Sequence, residues 1–411
     1  MNNSAWNYIP LTSAVKIYDS LRQPINSKER AKRIEGKKDS DLFPYYGATG
    51  QVGYIDDFLI DGEYILLGED GAPFLDALAK KAYIINGKSW VNNHAHILQS
   101  KTNNKFLYFY LNYFDYKDYV SGTTRLKLTQ ARMKQIPVPV PSLPEQERIV
   151  ARIEELFSEL DKAVETLKTT KQQLAVYRQA VLKEAFEGRF TLHCSCDVEL
   201  EWLSVEETHG LPAIPKEWRY IALSKLGDLG RGKSKHRPRN DPKLFEDGKY
   251  PFLQTSEVKA AKQYITNYSK MYNEFGLQQS KLWSKGTLCI TIAANIAETA
   301  FLGIDACFPD SVVGFTAYEN IIPKYIKYFI ESQKLRLWAF APATAQKNIN
   351  LNTLENLIVP YCSIQEQKDV IAEIESRMST CDSIEQTVDT ALQQAEAMRQ
   401  SILKQAFEGR L

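Results

Sequence analysis

The strongest constraint on the fold is an internal repeat in which one segment of the chain occurs twice. Residues 137–190 align with residues 358–411 at a constant offset of 221 without a gap, and 23 of the 54 positions are identical. The copies end in nearly the same residues, RQAVLKEAFEGRF and RQSILKQAFEGRL. Shared helix propensity alone would not keep identical residues in register over this length. The chain therefore contains one structural unit twice.

Each copy of the repeat predicts one long helix. After Pro144 there is no glycine or proline until Gly188, and Gly409 ends the second copy in the same way. A helix of about 42 residues spans roughly 63 Å. A capping box is expected at each start, in which a serine accepts from a backbone N–H and a glutamate reaches back to the cap. The pairs are Ser142 with Glu145 and Ser363 with Glu366.

An apolar seam with alternating spacings of three and four residues runs along each predicted helix, which is typical of a coiled coil. A helix buried in an ordinary bundle would also carry an apolar stripe. Because the helices come from a repeat, a pseudo-twofold axis would pack them against each other in antiparallel orientation. The predicted interface residues are Ile153, Leu160, Leu167, Leu174, Ile374, Cys381, Val388 and Ala395. The seam is interrupted by Lys171, Arg178, Glu385 and Arg399.

Two more variable regions alternate with the repeated helices. They share weaker motifs, such as GEYILL at residue 62 and GTLCIT at residue 286. Both combine β-like runs with short helical stretches, so we expect an α+β fold. The predicted organisation is a variable domain (1–136), a helical spacer (137–190), a second variable domain (191–357) and a second spacer (358–411). The antiparallel coiled-coil helices would thus separate two variable domains in an internal pseudo-twofold repeat.

The net charge of +1 does not by itself indicate nucleic-acid binding, but basic residues are concentrated in two stretches, 22–38 and 230–240. Glycine and proline make the second stretch a loop that could follow a groove. Its lysines could neutralise phosphates and its arginines could recognise guanine. A solvated surface loop would have the same composition. The basic residues are Arg231, Lys233, Lys235, Arg237 and Arg239.

No catalytic, nucleotide-binding or metal site is expected on this chain. Residues 227–234 match a phosphate-loop pattern, but the following KHRPRNDP cannot begin the helix that such a loop requires. Two short groups could ligate a metal, yet neither has the second half of a zinc site. They are His94 with His96, and His193 with Cys194 and Cys196. Motifs of an adenine methyltransferase are also missing.

The location expected for the chain is the cytoplasm. No stretch of 18 apolar residues is present, so no membrane span is expected. The first residues lack the charged and apolar pattern of a signal peptide. The six cysteines show no paired spacing, which favours a reducing compartment.

The doubled segments VPVPSLPEQ…LKEAFEGRF and VPYCSIQEQ…LKQAFEGRL, alternating with two variable domains, resemble the specificity subunit of type I restriction-modification systems. The resemblance covers the whole chain. Residues 43–72 resemble a recurring first target-recognition domain, and residues 230–242 resemble a recurring second one. The approach to the second helix fits the family at Thr344, Asn348, Asn350 and Leu351. The approach to the first helix departs from the family pattern, with Thr123, Lys127, Thr129 and Gln130.

This resemblance implies that each variable domain recognises one half of a bipartite DNA site with a fixed unread gap. It implies that the helices dock two modification subunits, which bind S-adenosylmethionine and methylate adenine in double-stranded DNA. Restriction subunits would add cleavage driven by ATP and Mg²⁺, so no cofactor is expected on this chain. The candidate DNA contacts are Tyr46, Thr49, Gln51, Lys88, Arg125, Arg231, Lys233, Lys235, Arg237, Arg239, Gln346 and Lys347.

Other classes of function remain open at this point. A repressor or scaffold that binds DNA alone would need a self-dimer interface in place of a surface for modification subunits. A coiled-coil adaptor without nucleic acid is disfavoured by the basic stretch 230–240. A stand-alone nuclease is disfavoured because its catalytic site is missing.

If the long helices set the distance between two half-sites, one heptad inserted in each helix at matching positions should lengthen the unread gap. Seven residues keep the apolar seam in register. The added rise is about 10 Å, which corresponds to at most about three base pairs at roughly 3.4 Å each. The methylated motif of the altered enzyme gives the gap directly. An unchanged gap with full activity would show that something other than these helices sets it.

Overall fold

The computed structural model describes residues 6–190, 202–208, 210–340 and 348–411. The chain forms two compact units. The first unit comprises Met1–Thr170 and Thr387–Leu411, and the second comprises Lys171–Gln386. Both units therefore contain part of each long helix.

The described part of the first unit combines two larger sheets and a two-stranded sheet with helices. Its strands are β1 (Tyr8–Pro10), β2 (Val15–Ile17), β3 (Phe43–Gly47), β4 (Gly50–Ile55), β5 (Tyr64–Gly68), β6 (Ala82–Ile85), β7 (Trp90–Val91), β8 (Ala95–Ser100) and β9 (Pro137–Pro139). Its helices are α1 (Leu11–Ala14), α2 (Ser27–Ile34), α3 (Asn104–Tyr113), α4 (Gln130–Met133) and the first part of α5 (Leu143–Phe186). One larger sheet is antiparallel with the order β2-β8-β5-β6, the other has the order β4-β3-β7, and the two-stranded sheet pairs β1 with β9.

The central strand β5 shows why this unit folds around its sheet. Successive side chains of a strand point to opposite faces. Ile65 and Leu67 accordingly belong to the buried cluster that contains helix α3 residues, whereas Leu66 belongs to a second cluster on the other face. The apolar run of this strand is therefore buried on both faces of the sheet.

The described part of the second unit has the same kind of architecture. Its strands are β10 (Trp202–Leu203), β11 (Ile214–Pro215), β12 (Arg219–Ala222), β13 (Gly227–Arg231), β14 (Tyr250–Phe252), β15 (Tyr264–Ile265), β16 (Lys270–Tyr272), β17 (Leu282–Trp283), β18 (Leu288–Thr291), β19 (Thr299–Leu302), β20 (Ala306–Cys307), β21 (Val312–Ala317) and β22 (Ile358–Tyr361). Its helices are α6 (Thr255–Ala260), α7 (Glu274–Gln278), α8 (Pro323–Ser332), α9 (Lys334–Phe340), α10 (Leu351–Glu355) and the first part of α11 (Ile364–Phe407).

Strand order repeats between the units. The larger sheet of the second unit has the order β13-β21-β18-β19-β15, in which the first four strands match β2-β8-β5-β6 and β15 is an addition. Strand β14 pairs in parallel with β20, as β3 does with β7. The similar motifs at residues 62 and 286 lead into the equivalent strands β5 and β18. The weak sequence echo therefore reflects a repeated fold.

The long helices α5 and α11 span 44 residues each, close to the predicted length. Both end at a glycine with positive φ, 75° at Gly188 and 70° at Gly409. The next N–H then bonds back to the helix, from Arg189 to the Glu184 carbonyl and from Arg410 to the Gln405 carbonyl. These are the bonds of a Schellman cap. Among the described residues no helix is both long and apolar enough to cross a membrane.

The two helix starts differ from the predicted symmetry. The second capping box is present, with the Ser363 N–H donating to Glu366 (3.0 Å) and the Glu366 N–H donating to the Ser363 hydroxyl (3.3 Å). The first capping box was predicted wrongly. The Glu145 carboxylate accepts instead from Arg148, three residues along the helix. The equivalent residue in the second copy is Asp369, so an arginine that competes for the capping glutamate is present only in the first copy.

A buried glutamine joins the start of each long helix to its own domain. In the first unit Gln146 accepts from the Thr102 hydroxyl (3.0 Å) and donates to the Pro141 carbonyl (2.9 Å). In the second unit the equivalent Gln367 accepts from the Ile322 N–H (2.9 Å). Its amide group also donates to the carbonyl oxygens of Asn320 (3.2 Å) and Cys362 (3.0 Å).

The helices pack antiparallel within each unit. In the first unit Ile153, early in α5, shares a buried cluster with Ile402 and Ala406, late in α11. In the second unit Ile374, early in α11, shares a buried cluster with Val181 and Ala185, late in α5. Low residue numbers of one helix thus meet high numbers of the other, which only an antiparallel pair allows.

Charged residues that interrupt the apolar seam form ion pairs across the helices. In the second unit Arg178 contacts Asp382 at 2.7 Å. In the first unit Arg399 contacts Asp161. The two arginines are equivalent in the repeat, and so are the two aspartates. Each repeat thus supplies the arginine for one pair and the aspartate for the other.

Seven of the eight predicted interface residues are buried, and Leu167 is half-exposed. Replacing Ile153 by alanine should lower the free energy of unfolding by about 2–5 kcal/mol, because it leaves a cavity in a fully buried cluster. Leu167→Ala is the matched control on the same predicted seam and should cost clearly less. Denaturant unfolding of both variants measures the difference. Equal losses would mean that the seam is packed uniformly, contrary to this structure.

Candidate nucleic-acid interface

Three loops meet at one edge of the sheets in the first unit. The turn between β3 and β4 adjoins the end of β7, where the Asn92 N–H donates to the Tyr46 carbonyl (3.1 Å). The loop after β5 joins them, because the Glu69 N–H donates to the His94 carbonyl (2.7 Å). A third segment follows, since Arg125 forms an ion pair with Asp70 at 2.7 Å.

Four predicted contact residues lie at this edge and one does not. Thr49 and Gln51 are exposed at the hairpin turn, and Tyr46 is half-buried against the Tyr83 ring, 5.8 Å away. Arg125 is exposed on the neighbouring loop. Lys88 lies at the opposite end of the hairpin. There its ammonium group is 4.6 Å from the centroid of Phe58 and 5.9 Å from that of Phe43.

The hairpin also exposes two residues that the sequence did not single out. Val52 and Tyr54 of β4 are 47% and 50% exposed. They are two positions apart, so they lie on one face of the strand. An apolar side chain can contact the methyl group of thymine in the major groove. In the sequence, these two residues could have been found only from an alternation of exposed and covered positions along the strand. Recognising that alternation requires the strand pairing to be known.

A buried ionic cluster holds these loops in place. His96 is fully buried, with Nδ1 2.7 Å from Asp19 and Nε2 3.0 Å from the Leu128 carbonyl. Arg22 bridges Asp19 and Glu69 at 3.3 and 2.5 Å. The cluster therefore joins the start of the chain, the loop after β5 and the segment before α4.

Asp19 carries the negative charge at the centre of this cluster. Burial opposes its ionisation, but hydrogen bonds from His96, the Ile97 N–H and Gln130 outweigh that effect. The pKa of Asp19 is consequently held below its ordinary value. The carboxylate is thus kept charged by the same contacts that position the loops.

In the second unit the basic stretch begins as part of strand β13 and continues in an extended conformation. Arg231, Lys233 and Lys235 are exposed, whereas the intervening Gly232 and Ser234 are buried. Alternate positions of an extended chain share one face, about 6.7 Å apart. The three cations therefore form a row on the outer side. The phosphate-loop pattern does not lead into a helix at Lys233, which agrees with its rejection.

Glycine is required beside this row. A Cβ atom at Gly232 would lie 2.3 Å from the Pro309 carbonyl oxygen and 2.4 Å from that of Phe308. The backbone here is held by the Gly232 N–H, which donates to Val312 (2.9 Å), and by the Lys233 N–H, which donates to Phe308 (3.0 Å). The segment is consequently fixed against β21 rather than free in solvent.

The basic stretch 230–240 contains no acidic residue, but the structure places acidic side chains next to its cations. Arg239 donates to both carboxylate oxygens of Asp310 at 2.8 and 3.0 Å. His236 lies 2.8 Å from Asp241, and this hydrogen bond holds the pKa of Asp241 below its ordinary value. Arg237 donates to the Ser234 carbonyl at 2.6 Å and to that of His236. The cations thus differ in how firmly they are held.

Lys281 is a further basic residue that the sequence did not single out. Residues 279 and 280 run beside the basic row, with the Lys235 N–H donating to the Gln279 carbonyl (3.1 Å) and the Ser280 hydroxyl donating to the Lys233 carbonyl (2.8 Å). Lys281 follows, and its ammonium group lies 3.7 Å from the Trp283 ring centroid.

In the basic stretch 22–38, most arginine and lysine side chains with a contact partner bind residues of their own domain. On helix α2, Arg33 binds Asp56 at 2.6 Å, and Lys37 just after it binds the same carboxylate at 2.5 Å. The Arg30 guanidinium lies 4.6 Å from the centroid of the Tyr45 ring. Three of the seven basic residues in this stretch therefore fix α2 and the residues just after it to the hairpin.

Several residues considered from the sequence lie outside the described part of the chain. These are Gln346, Lys347, Thr344, His193, Cys194 and Cys196. His94 and His96 are described and bind Asp70 and Asp19 respectively. Within the described residues no group of three or more histidine, cysteine, aspartate or glutamate side chains could hold a metal ion.

The sequence matches the type I restriction modification DNA specificity domain twice, over residues 6–175 and 215–394. A Haemophilus influenzae protein named as specificity subunit S.HindORF215P of a type I restriction enzyme is 25% identical over 402 residues. That alignment covers 96% of this chain and 94% of the relative. The EcoBI specificity subunit of Escherichia coli is 27% identical over 300 residues, which covers 71% of this chain and 62% of the relative.

Two solved structures share the fold. One chain comes from a study of complex assembly and conformational transition of the type I restriction-modification system. It has a TM-score of 0.68 at 15% identity, with 99% of both chains covered. The HsdS subunit of Thermoanaerobacter tengcongensis has a TM-score of 0.55 at 16% identity, with 99% of this chain and 98% of that chain covered.

Asp19→Asn tests whether the ionic cluster supports the loops at this edge. At neutral pH the substitution should lower the free energy of unfolding by about 1.5–3 kcal/mol, because the groups that donate to Asp19, among them fully buried His96, lose their charged acceptor, while Arg22 keeps Glu69. The folded pKa lies below the ordinary value of 3.8, so the contribution of Asp19 is complete above that pH. The difference between the two proteins should shrink as the pH falls through the lowered value.

Asp57→Asn is the matched control. Asp57 is 60% exposed and lies 4.0 Å from Arg33, so its substitution should change the free energy of unfolding by no more than about 0.5 kcal/mol. Denaturant unfolding between pH 3 and pH 7 compares the variants. A pH-independent loss for Asp19→Asn would show that the charge of Asp19 does not carry the effect.

Proposed function

Because the chain belongs to the type I restriction modification DNA specificity family, we propose that it is the subunit that selects the DNA sequence for such an enzyme. Each of its two family domains recognises one half of a bipartite, asymmetric site in double-stranded DNA. The observation that carries this proposal is that one chain matches the domain twice, and that each matched region has its own exposed basic or polar edge.

The first domain offers the hairpin residues Thr49 and Gln51 together with Arg125. An exposed amide or guanidinium can bond to base edges in the major groove, whereas a threonine hydroxyl can bond to bases or phosphates. The second domain offers the row of cations from Arg231 to Lys235. The two halves of an asymmetric site differ in sequence and require different contacts. The different exposed residues of the two domains fit this requirement.

The helix pair docks two modification subunits. Apolar side chains are exposed at positions that are equivalent in the repeat, Tyr177 at 45% and Met398 at 53%. Val176, next to Tyr177, is 71% exposed. A partner that covers these side chains would bury apolar surface at equivalent points of the two repeats. Their occurrence once in each repeat supports two equivalent docking places.

The chemistry belongs to the partner subunits. The modification subunits bind S-adenosylmethionine and methylate adenine, and restriction subunits use ATP and Mg²⁺ to translocate and cleave DNA. This chain contributes sequence recognition and carries no catalytic group. We place the complex in the cytoplasm, where the buried free thiols of Cys289, Cys307, Cys362 and Cys381 stay reduced.

A domain exchange tests the function. Residues 1–136 are replaced by the matching domain of another family member, and the chain is expressed with its modification subunit in cells that lack adenine methylation. Sequencing of methylated adenines should show a bipartite motif for the parent chain. The exchange should change one half of that motif and leave the other half and the gap unchanged.

Cells with the modification subunit alone should show no such motif, which is the control for the role of this chain. Methyl transfer from labelled S-adenosylmethionine by this chain alone would contradict the proposal. So would specific DNA binding that is unaffected by the modification subunit, which is the behaviour of a repressor.

A further inference from the structure

We propose that Asp310 positions Arg231 and Arg239 to recognise bases, and that Lys233 and Lys235 bind only phosphates. This division of roles rests on the proposed function, because it assumes that the second domain contacts DNA. It assigns a specificity-determining role to an acidic residue that lies 79 positions from Arg231 and 71 positions from Arg239 in the chain. The assignment follows from how each cation is held.

Arg231 is held at one point of its guanidinium group. Its Nε donates to the main-chain carbonyl of Asp310 at 2.5 Å. The side chain is exposed, and both terminal nitrogens remain available. A bond at Nε fixes the plane of the guanidinium, and the terminal pair is the fork that recognises O6 and N7 of guanine.

Arg239 is held by the side chain of the same residue. Its Nη2 donates to both oxygens of the Asp310 carboxylate. Both forks of a guanidinium include Nη2, so Arg239 offers Nε and Nη1 as single donors on different sides rather than as a fork. Asp310 itself lies in a tight turn, because the Val312 N–H donates to the Pro309 carbonyl at 3.0 Å. That turn leads directly into β21, so a rigid strand fixes the residue that orients both arginines.

The remaining cations are held differently. Among the described residues, Lys233 and Lys235 have no hydrogen-bond or ion-pair partner for their side chains. A free ammonium group is a mobile point charge, which suits a phosphate but carries little directional information. Arg237 uses Nη1 for two carbonyl oxygens of its own loop, so it is held within that loop and not by the turn at Asp310 that leads into β21.

An oriented arginine has a physical advantage in base recognition. Bidentate hydrogen bonds require the guanidinium plane to match the base edge. A side chain that is already held in one plane loses less conformational freedom when it binds. An acid that neutralises part of its charge also weakens non-specific attraction to phosphates. Asp310 thus favours sequence discrimination over general affinity.

Charge-preserving substitutions separate the two roles. The test uses the complete complex with its modification subunits and duplexes that carry the methylated motif or single base changes within it. Arg231→Lys keeps the charge but loses the fork, and Arg239→Lys keeps the charge but loses the planar group that Asp310 orients. Each should relax one position of the second half-site, reducing discrimination there roughly 10- to 100-fold. The dependence of affinity on salt should remain unchanged.

Lysine-to-alanine substitutions should show the opposite behaviour. Lys233→Ala and Lys235→Ala should weaken binding to all sequences equally. Each should also reduce the salt slope by about 0.9, because one phosphate is no longer neutralised by the protein. Lys235→Arg is the matched control, since it retains the charge, and it should alter neither discrimination nor the salt slope.

Asp310→Asn distinguishes the two arginines. The substitution keeps the main-chain carbonyl that holds Arg231 but removes the charge that holds Arg239. Discrimination should therefore be lost at the base recognised by Arg239 and retained at the base recognised by Arg231. Binding to unrelated sequences should become tighter. Retained recognition of the first half-site shows that each variant is folded.

Two failures can be told apart. If the parent complex shows no sequence preference on any duplex, the proposed function is wrong. If the parent complex recognises its bipartite motif while Arg231→Lys, Arg239→Lys and Asp310→Asn all retain full discrimination, only the assignment to Asp310 and its arginines is overturned.

Discussion

The buried glutamine at the start of each long helix is the contact on which the arrangement of each domain depends. Its amide bonds to groups on the segment that leads into the domain helix, Thr102 in one unit and Ile322 in the other. A buried amide without these partners would cost about 1–3 kcal/mol, so the helix start and the domain are fixed together. The long helix thereby becomes the frame from which the recognition loops extend.

The ion pairs of the helix pair show how a repeat can specify antiparallel packing. Arg178 with Asp382 and Arg399 with Asp161 use the same two positions of the repeat in exchanged roles. Each aspartate is largely exposed, so the pairs add little stability compared with the apolar seam. The pairs instead specify the register of the two helices, because a shift by one heptad would separate both pairs at once.

The recognition surfaces depend on contacts that join distant parts of the chain. In the first unit, Asp19 and His96 hold the loops after β5 and before α4. In the second unit, Asp310 orients arginines near residue 235. Charge composition alone identified the basic stretch, but it could not distinguish a free lysine from an arginine held by an acid. That difference separates general affinity for DNA from discrimination between bases.

The sequence alone identified the repeat, the two long helices with their glycine ends and apolar seams, the α+β character of the domains and the basic stretch 230–240. Each of these features follows from local periodicity or from residues close together in the chain. The folded chain was needed to show that the cations of this stretch form an exposed row, that Arg148 replaces the first capping box, that Lys88 lies apart from the hairpin turn, and that Asp310 holds two arginines. These contacts join residues that the sequence places far apart or that compete locally for one carboxylate. Their outcome depends on strand pairing and packing, which no local pattern encodes.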